Sequence, residues 1–251
     1  MAAQIRIGTS GWSYDGWNGI VYPEKTASAD RLGHYAKLFD TVELNASYYH
    51  WPKDSVFAGW RERLQAGFAM TVKAPRGLTH ESRLAQPAEW IERLRSGMAE
   101  LGEPDFNGGK RGVLLLQLPP TLEFDLDLLR GFIKQVTSWQ RTAVEFRHQS
   151  WETEAVFDLL EELNAAYVVM SGARLPCTLR ATSKQFVYVR FHGPDNRRMY
   201  AGSYSDDDMR WWADRIREWH GQARDVYAYF NNDASGNAVR NAQTLRQFCN
   251  V

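Results

Sequence analysis

The sequence predicts a single TIM-like (β/α)8 barrel domain spanning residues 1–251, and three observations support this fold class. A length of 251 residues is typical of one such barrel. Eight short runs rich in β-branched and aromatic residues alternate with helical patterns, which favours a parallel sheet with right-handed crossovers. No GxGxxG follows the first run, so an open dinucleotide-binding sheet is disfavoured.

The eight predicted strands are short and are bounded by turn-forming residues. Their apolar content indicates burial, as expected for the strands of a parallel barrel. The predicted strands are 4–10, 41–46, 68–74, 112–118, 142–147, 165–171, 186–193 and 225–232.

Helical spacing fills most gaps between these strands. After Ser28, a plausible N-cap, Leu32, Tyr35, Ala36 and Phe39 recur at the i, i+3, i+4, i+7 spacing of an apolar helix face. The other predicted helices are 52–65, 87–100, 125–137, 152–163, a helix that follows Ser205 and begins with three aspartates (206–208), and 235–248.

Two connections differ from this pattern. The segment 172–185 has Pro176 in its middle and no clear period, so we expect an irregular crossover between the sixth and seventh strands. The segment 101–112 is rich in turn formers and predicts a long loop before the fourth strand.

Composition and charge limit the classes of binding partner and the cellular compartment that we expect for this protein. Lys+Arg 30 balance Asp+Glu 30, which removes any overall attraction to nucleic acid or to an acidic membrane. Cys177 and Cys249 are far apart and show no metal-ligand spacing, as is usual in a reducing cytoplasm. No apolar run approaches the roughly 18–20 residues of a membrane span. We therefore expect a cytoplasmic protein with no membrane partner and no cofactor.

Polar side chains follow at least six of the predicted strands. In a barrel of this type the carboxyl ends of the strands carry the chemistry. Each unpaired buried charge would cost several kcal/mol of stability. The repeated occurrence of polar residues at these strand ends therefore indicates a common functional role. In strand order these residues are Glu43, Asn45, Lys73, His80, Gln117, Glu145, Arg147, Arg190, His192, Asn231, Asn232 and Asp233.

A set of ordered motifs resembles the YecE-like family, domain of unknown function 72. The motifs are GTSGWSY, VELNASYY, VKAPRGLTH, LLLQLPP, VEFRHQSW, VRFHG and YFNNDASGNAVRNAQTL, and they span nearly the whole chain. The resemblance implies a TIM-barrel-type fold and an activity that is not established. Asn18 and Val21 depart from the family pattern in the first loop. The matching positions are Glu43, Asn45, Lys73, His80, Gln117, Glu145, Arg147, Trp151, Arg190, His192, Asn231 and Asn232.

Three cations from different strands suggest an anion site. A small anionic molecule, such as a phosphorylated one, could be bound where Lys73, Arg147 and Arg190 converge. The NNDASGNAV turn after the eighth strand also offers backbone N–H groups at a helix N-terminus. The alternative is that these cations neutralise Glu43 and Glu145 in a structural ion-pair lattice.

Two carboxylates and a histidine are the candidate catalytic residues. Glu43 and Glu145 could serve as general base and acid, with His192 as a third proton-transfer group. A metal site formed by His192 and His80 with an acidic residue is an alternative. The absence of an HxH or HExxH motif and the three nearby cations disfavour it, so we expect no metal.

The predicted function is therefore binding of a small anionic molecule, with acid/base chemistry of a hydrolase, lyase or isomerase if turnover occurs. One rival is a nucleic-acid-binding or nucleic-acid-processing protein that stacks bases on Trp and Tyr side chains. A second rival is a ligand sensor without turnover. The predicted substrate-binding residues are Asn45, Lys73, His80, Gln117, Arg147, Trp151, Arg190, Asn231 and Asn232.

Overall fold

The computed structural model describes residues 2–103 and 109–251. Within these residues eight strands lie in the order β1-β8-β7-β6-β5-β4-β3-β2 and alternate with helices, which confirms the TIM-like (β/α)8 barrel predicted from the sequence. The strands are β1 (Ile5–Thr9), β2 (Thr41–Leu44), β3 (Ala69–Lys73), β4 (Arg111–Gln117), β5 (Thr142–Glu145), β6 (Ala166–Ser171), β7 (Phe186–Phe191) and β8 (Asp225–Phe230).

The first two strands meet through a close backbone approach. Ser10 and Glu43 form a parallel bridge, and the Gly11 N–H donates to the Glu43 carbonyl at 2.8 Å. A Cβ at Gly8 would lie 2.5 Å from the Thr41 carbonyl oxygen, closer than any ordinary contact. Glycine is therefore required at this position of β1, because a larger residue would push the two strands apart.

The helices follow the predicted order and are shorter at several ends. Within the described residues no helix is long and apolar enough to cross a membrane. The helices are α1 (Arg31–Tyr35), α2 (Ala46–Tyr49), α3 (Asp54–Arg63), α4 (Ala88–Glu100), α5 (Leu126–Thr137), α6 (Glu154–Glu162), α7 (Asp206–Gly221) and α8 (Asn237–Cys249).

Two helix boundaries differ from the prediction for local reasons. The first helix ends at Tyr35, and Gly33 within it weakens the helical backbone, although Phe39 is buried as its spacing predicted. The last helix begins at Asn237 rather than at 235, because Ser235 and Gly236 adopt left-handed conformations with φ of 59° and 71°. The short helix α2 was not predicted.

The irregular sixth crossover is confirmed. Between Ser171 at the end of β6 and Phe186 at the start of β7 the chain forms no helix. The Thr182 hydroxyl fixes its far end, because it donates to the Ala165 carbonyl at 2.7 Å and accepts from the Tyr167 N–H at 2.8 Å. The predicted loop 101–112 connects α4 to β4, and its residues 104–108 lie outside the described residues.

Contacts divide the chain into two compact units. Unit 1 comprises residues 1–43, 169–181 and 185–251, and unit 2 comprises residues 44–168 and 182–184.

Each unit has its own aromatic core. In unit 1 the Phe191 and Phe230 rings stack with centroids 4.2 Å apart, and Trp212 of α7 meets Phe191 edge-on at 5.0 Å. In unit 2 the Trp151 ring stacks on Phe146 at 5.1 Å. Burial of each such ring contributes about 2–3 kcal/mol, so these contacts hold the strand ends of each unit in place.

Candidate functional site

The predicted site residues separate into two sets, one in each unit. Unit 1 contains Glu43, Arg190, His192, Asn231 and Asn232. Unit 2 contains the remaining predicted residues, which are Asn45, Lys73, His80, Gln117, Glu145, Arg147 and Trp151.

In unit 1 the Glu43 carboxylate at β2 is surrounded by donors from β7 and from the residue after β1. We call Ser10, Glu43, Tyr188 and Arg190 the Glu43 cluster. Arg190 binds both carboxylate oxygens, through Nη2 to Oε1 at 2.6 Å and through Nε to Oε2 at 2.9 Å. The Tyr188 hydroxyl donates to Oε2 at 2.7 Å, and the Ser10 hydroxyl donates to Oε1. The side chains of Glu43 and Arg190 are both 0% exposed. The cluster is therefore a closed, bidentate ion pair.

Electrostatics keep this cluster charged. Burial opposes ionisation of Glu43, but the Arg190 guanidinium and the donated hydrogen bonds outweigh it, so the pKa of the Glu43 carboxyl is lowered. Burial and the Glu43 charge raise the pKa of Tyr188 well above its usual value, so its hydroxyl stays protonated and donates. An ionised carboxylate with its lone pairs already occupied is poorly suited to accept a substrate proton.

The other predicted residues of unit 1 lie in the connections around β7 and β8. His192 is buried, its N–H donates to the Ser171 carbonyl at 2.6 Å, and its ring meets Tyr200 edge-on. The buried Asn232 side chain donates to the Gly202 carbonyl and to Asn241 Oδ1, both at 2.9 Å. Asn232 therefore ties the loop before α7 to helix α8.

The turn after β8 has the geometry of a strand-to-helix junction. The Asn231 N–H donates to the Phe191 carbonyl at 2.8 Å, which extends the pairing of β7 and β8 by one step. Asp233 follows, and burial raises the pKa of its carboxyl. A carboxylate at this point opposes a second negative charge, which weakens the predicted use of the turn by an anion.

In unit 2 a second group forms around the end of β3, and we call Tyr48, Lys73, His80 and Arg147 the Lys73 cluster. Lys73 Nζ lies 4.3 Å from the centroid of the Tyr48 ring, a cation–π contact. The Tyr48 ring meets the His80 ring edge-on at 5.2 Å. The Ser47 hydroxyl donates to the Lys73 carbonyl at 2.6 Å and so fixes α2 against β3. The short helix α2 thus positions the aromatic wall of the cluster.

His80 is oriented by its own turn. It lies on a single π-helical turn, Gly77–Glu81, a feature that is frequent at functional sites. Thr79 Oγ1 donates to the Pro75 carbonyl at 3.3 Å and lies 2.8 Å from His80 Nδ1. The contact with Thr79 Oγ1 fixes the orientation of the imidazole ring, and the tautomer of His80 decides which of the two atoms donates.

Positive charge surrounds His80. Burial lowers the pKa of the imidazole, and Lys73, Arg76 and Arg147 lower it further, while Glu81 acts in the opposite direction. His80 is consequently neutral at pH 7, at a location where positive potential accumulates.

The fifth strand supplies the arginine of this cluster. Glu145 and Arg147 lie on the same side of the chain, as their spacing of two predicted, and Arg147 Nε donates to Glu145 Oε1. Glu145 is 0% exposed and the Arg147 side chain is 8% exposed. Gln117 of β4 is in register with Glu145 and is partly exposed. The ends of β4 and β5 thus bring Gln117 and Arg147 to the same edge.

Two other predicted residues of unit 2 have different surroundings. Trp151 is fully buried, and its Nε1 donates to the Leu122 carbonyl at 2.7 Å, so it is a wall of the core. Asn45 is partly exposed at the start of α2, and its carbonyl accepts from the Tyr48 N–H at 3.1 Å.

Sequence reasoning missed two members of the Glu43 cluster, Tyr188 and Ser10, and one cation near the Lys73 cluster, Arg76. Tyr188 stands two residues before Arg190 on one strand, so the period of two could have identified it as a second ligand of Glu43. Ser10 directly follows β1 within the GTSGWSY motif. Arg76 lies in a loop after β3, and no local pattern distinguishes it.

A metal requires a group of suitable ligands. Across residues 2–103 and 109–251, no three or more His, Cys, Asp or Glu side chains are grouped so that they could hold a metal ion.

Parallel strands whose carboxyl ends carry charged and polar side chains define a TIM-like barrel protein with its candidate site at those ends. The chain belongs to the DUF72 family, because the family model described as "Protein of unknown function DUF72" matches residues 6–251.

Curated relatives agree with this assignment. The UPF0759 protein YunF of Bacillus subtilis is 27% identical over 98% of this chain and 95% of its own length. The UPF0759 protein YecE of Escherichia coli is 28% identical over 57% of this chain and 48% of its own length, so the similar region spans about half of that relative.

Solved structures show the same fold. A DUF72 family protein from Thermotoga maritima superposes with a TM-score of 0.87 at 27% identity, covering 99% of this chain and 100% of that chain. A DUF72 family protein from Enterococcus faecalis has a TM-score of 0.85 at 20% identity, covering 99% of this chain and 96% of that chain.

Proposed function

We propose that this protein binds a small anionic molecule at the Lys73 cluster of unit 2. The observation that carries the proposal is the geometry around the Tyr48 ring, which lies 4.3 Å from Lys73 Nζ and meets the His80 ring edge-on at 5.2 Å. Lys73 and Arg147 both lower the pKa of His80, in agreement with positive charge beside it. The carboxyl ends of barrel strands are where such folds bind their ligands.

The chemistry of the cluster suits a carboxylate or a phosphate. Lys73 supplies a compact point charge and Arg147 a planar fork of donors, a pair that matches oxyanions of either shape. Both side chains are largely buried, so their charges are less screened than charges on the open surface. Gln117 adds an amide within the same register of strands. An anion bound here would relieve the positive potential that depresses the His80 pKa.

Arg190 fits this role less well than the sequence suggested. It has no exposed surface, and its guanidinium already binds Glu43 through two hydrogen bonds. Recruiting Arg190 to a ligand would break a buried ion pair, at a cost of about 3–5 kcal/mol. Arg147 is also ion-paired, with Glu145, but its side chain is 8% exposed whereas that of Arg190 has no exposed surface, so the proposal places the anion beside Lys73 and Arg147.

If the bound molecule is turned over, His80 is the best-suited proton acceptor. Burial and the neighbouring cations lower the pKa of its imidazole, so the ring is neutral at pH 7 with one nitrogen able to accept a proton, and the residue is only partly buried. Glu43 is closed in its ion pair and Glu145 is fully buried against Arg147. A general base must reach the proton it removes, which favours His80 over either carboxylate.

Isothermal titration calorimetry with sulfate tests the proposal. Lys73→Met keeps most of the side-chain volume and removes the charge, so we expect sulfate affinity to fall by about 1.5–3 kcal/mol, the value of a hydrogen bond to a charged group. The matched control is Lys134→Gln, an exposed position on α5, which should leave the affinity unchanged. Thermal unfolding of each variant checks that the fold is intact. Equal sulfate affinity in folded Lys73→Met and wild-type protein would refute the proposal.

A further inference from the structure

A separate basic surface lies in unit 1, on the two loops that follow β6 and β7. We propose that single-stranded nucleic acid binds there, with its phosphates on arginines and a base stacked on an exposed tyrosine. We call this surface the arginine rim, and it consists of Arg174, Arg197, Arg198, Met199 and Tyr200.

The charge of this part of the chain is strongly one-sided. The loops 172–185 and 192–204 contain five lysines and arginines and one acidic residue, Asp195, whereas the whole chain balances 30 against 30. A neutral total therefore conceals a local excess of positive charge, which is the electrostatic pattern of a polyanion-binding surface.

Backbone contacts place the two loops side by side. The His192 N–H donates to the Ser171 carbonyl at 2.6 Å, and the Ala173 N–H donates to the Gly193 carbonyl at 3.3 Å. Arg174 leaves this junction on one loop, and Arg197 and Arg198 lie on the other. The three arginines thus lie on two loops whose bases are joined by backbone hydrogen bonds.

These arginines are exposed and make no ion pair with any described residue. The acidic residue of these two loops, Asp195, hydrogen-bonds to the loop backbone. Its Oδ1 accepts from the N–H groups of Arg197 at 2.7 Å and of Arg198 at 3.3 Å. Elsewhere in the chain many arginines pair with a carboxylate, among them Arg93, Arg130 and Arg217. The guanidinium groups of the rim are therefore available to an external anion.

Tyr200 is held outward beside these charges. Its ring packs edge-on against His192 at 5.5 Å and remains 39% exposed, next to the 45% exposed Met199. Its φ of 66° is in the left-handed region, and its N–H donates to the His192 carbonyl at 2.8 Å. A tyrosine kept in this costly conformation presents a fixed aromatic face.

The combination of arginines and an aromatic face favours nucleic acid over an acidic peptide. Phosphates recur along a nucleic-acid strand and suit a row of guanidinium groups, while the flat face of a base stacks on Tyr200. An acidic peptide would use the charges but not the ring. Stacking on a side chain requires an unpaired base, so the strand must be single.

Fluorescence anisotropy with a labelled oligothymidylate tests the proposal. We expect the triple variant Arg174→Gln, Arg197→Gln, Arg198→Gln to bind at least about tenfold more weakly, and the slope of log K against log salt to decrease by about 0.7 per lost phosphate contact. We expect Tyr200→Ala to weaken binding at least about fivefold while leaving the salt slope unchanged, because stacking releases no counterion.

The matched control is Arg93→Gln, Arg210→Gln, Arg217→Gln, which removes the same charge from exposed helix positions. Equal weakening by this control, equal competition by a polyglutamate peptide, or preference for a duplex would each overturn the proposal. Lys73→Met should leave oligothymidylate binding unchanged, so this test is independent of the small-anion site.

Discussion

At the residue scale, the two buried carboxylate–arginine pairs differ in how far apart their members lie in the sequence. Glu145 is the last residue of β5 and Arg147 follows two positions later, so extended-chain geometry predicts that they share a side, and the structure shows their hydrogen bond. Glu43 and Arg190 are 147 positions apart, and their bidentate contact follows from the arrangement of strands. The sequence therefore predicts the members of both pairs but the partners of only one.

The Glu43 pair should stabilise the fold in a pH-dependent way. Glu43→Gln removes the charge that compensates buried Arg190, so we expect the free energy of unfolding at pH 7 to fall by about 3–5 kcal/mol. Because the folded pKa of Glu43 is lowered, its contribution is present above the ordinary pKa of a glutamate and is lost as the pH falls through the folded value.

Urea unfolding at pH 7 and at progressively lower pH measures the free energy of unfolding of wild type and of Glu43→Gln. The difference between wild type and Glu43→Gln should shrink toward acidic pH, while Glu92→Gln, an exposed change on α4, should stay within about 0.5 kcal/mol of wild type. A Glu43→Gln protein as stable as wild type at pH 7 would show that the ion pair contributes nothing net.

His80 should report on the anion directly. Burial and the three surrounding cations place its pKa below the ordinary 6.5. A bound sulfate offsets those cations, so the pKa of His80 should rise on binding. Sulfate affinity should therefore increase as the pH falls through the His80 pKa of the sulfate-bound protein. Imidazole NMR with and without sulfate measures both pKa values. A His80 pKa that saturating sulfate does not move would separate the anion from this cluster.

At the scale of elements, strong patterns were predictive and local exceptions were not. The irregular crossover followed from Pro176 and the lack of a helical period, and no helix forms there. The later start of α8 depends on left-handed Ser235 and Gly236, which a periodicity of apolar residues cannot reveal. The helix α2 is only four residues long, too short for its apolar pattern to be distinguished from a loop.

The start of α7 gives a quantitative test at this scale. The Ser205 hydroxyl accepts from the Asp208 N–H at 3.1 Å, and Asp208 Oδ2 accepts from the Ser205 N–H at 3.0 Å, which forms a capping box. Ser205→Ala should cost about 1 kcal/mol, seen as a fall in Tm of about 2–4 °C. Ser138→Ala at the end of α5 is the control, with an expected change below about 0.5 kcal/mol. An unchanged Tm for Ser205→Ala would mean that packing alone fixes this helix start.

At the scale of the whole molecule, the net charge does not indicate where charged side chains are concentrated. The zero net charge predicted no overall attraction to nucleic acid, yet the arginine rim carries three arginines without an acidic partner among the described residues. Lys73, Arg76 and Arg147 likewise all lower the pKa of one histidine. The sequence predicted the barrel because eight alternating units leave few topologies. It did not predict which charged residues stay closed in ion pairs, because that depends on burial and on contacts distant in sequence.

The measurement that tests the central claim most directly is a crystal structure of the protein soaked in selenate, with the anion located by the anomalous scattering of selenium. We expect selenate within hydrogen-bond distance, about 2.7–3 Å, of both Lys73 Nζ and the Arg147 guanidinium, with His80 beside it. Lys73→Met crystals soaked in the same way should lose this site and keep any selenate bound elsewhere. Selenate found only away from the Lys73 cluster, in crystals where the cluster is open to solvent, would contradict the account.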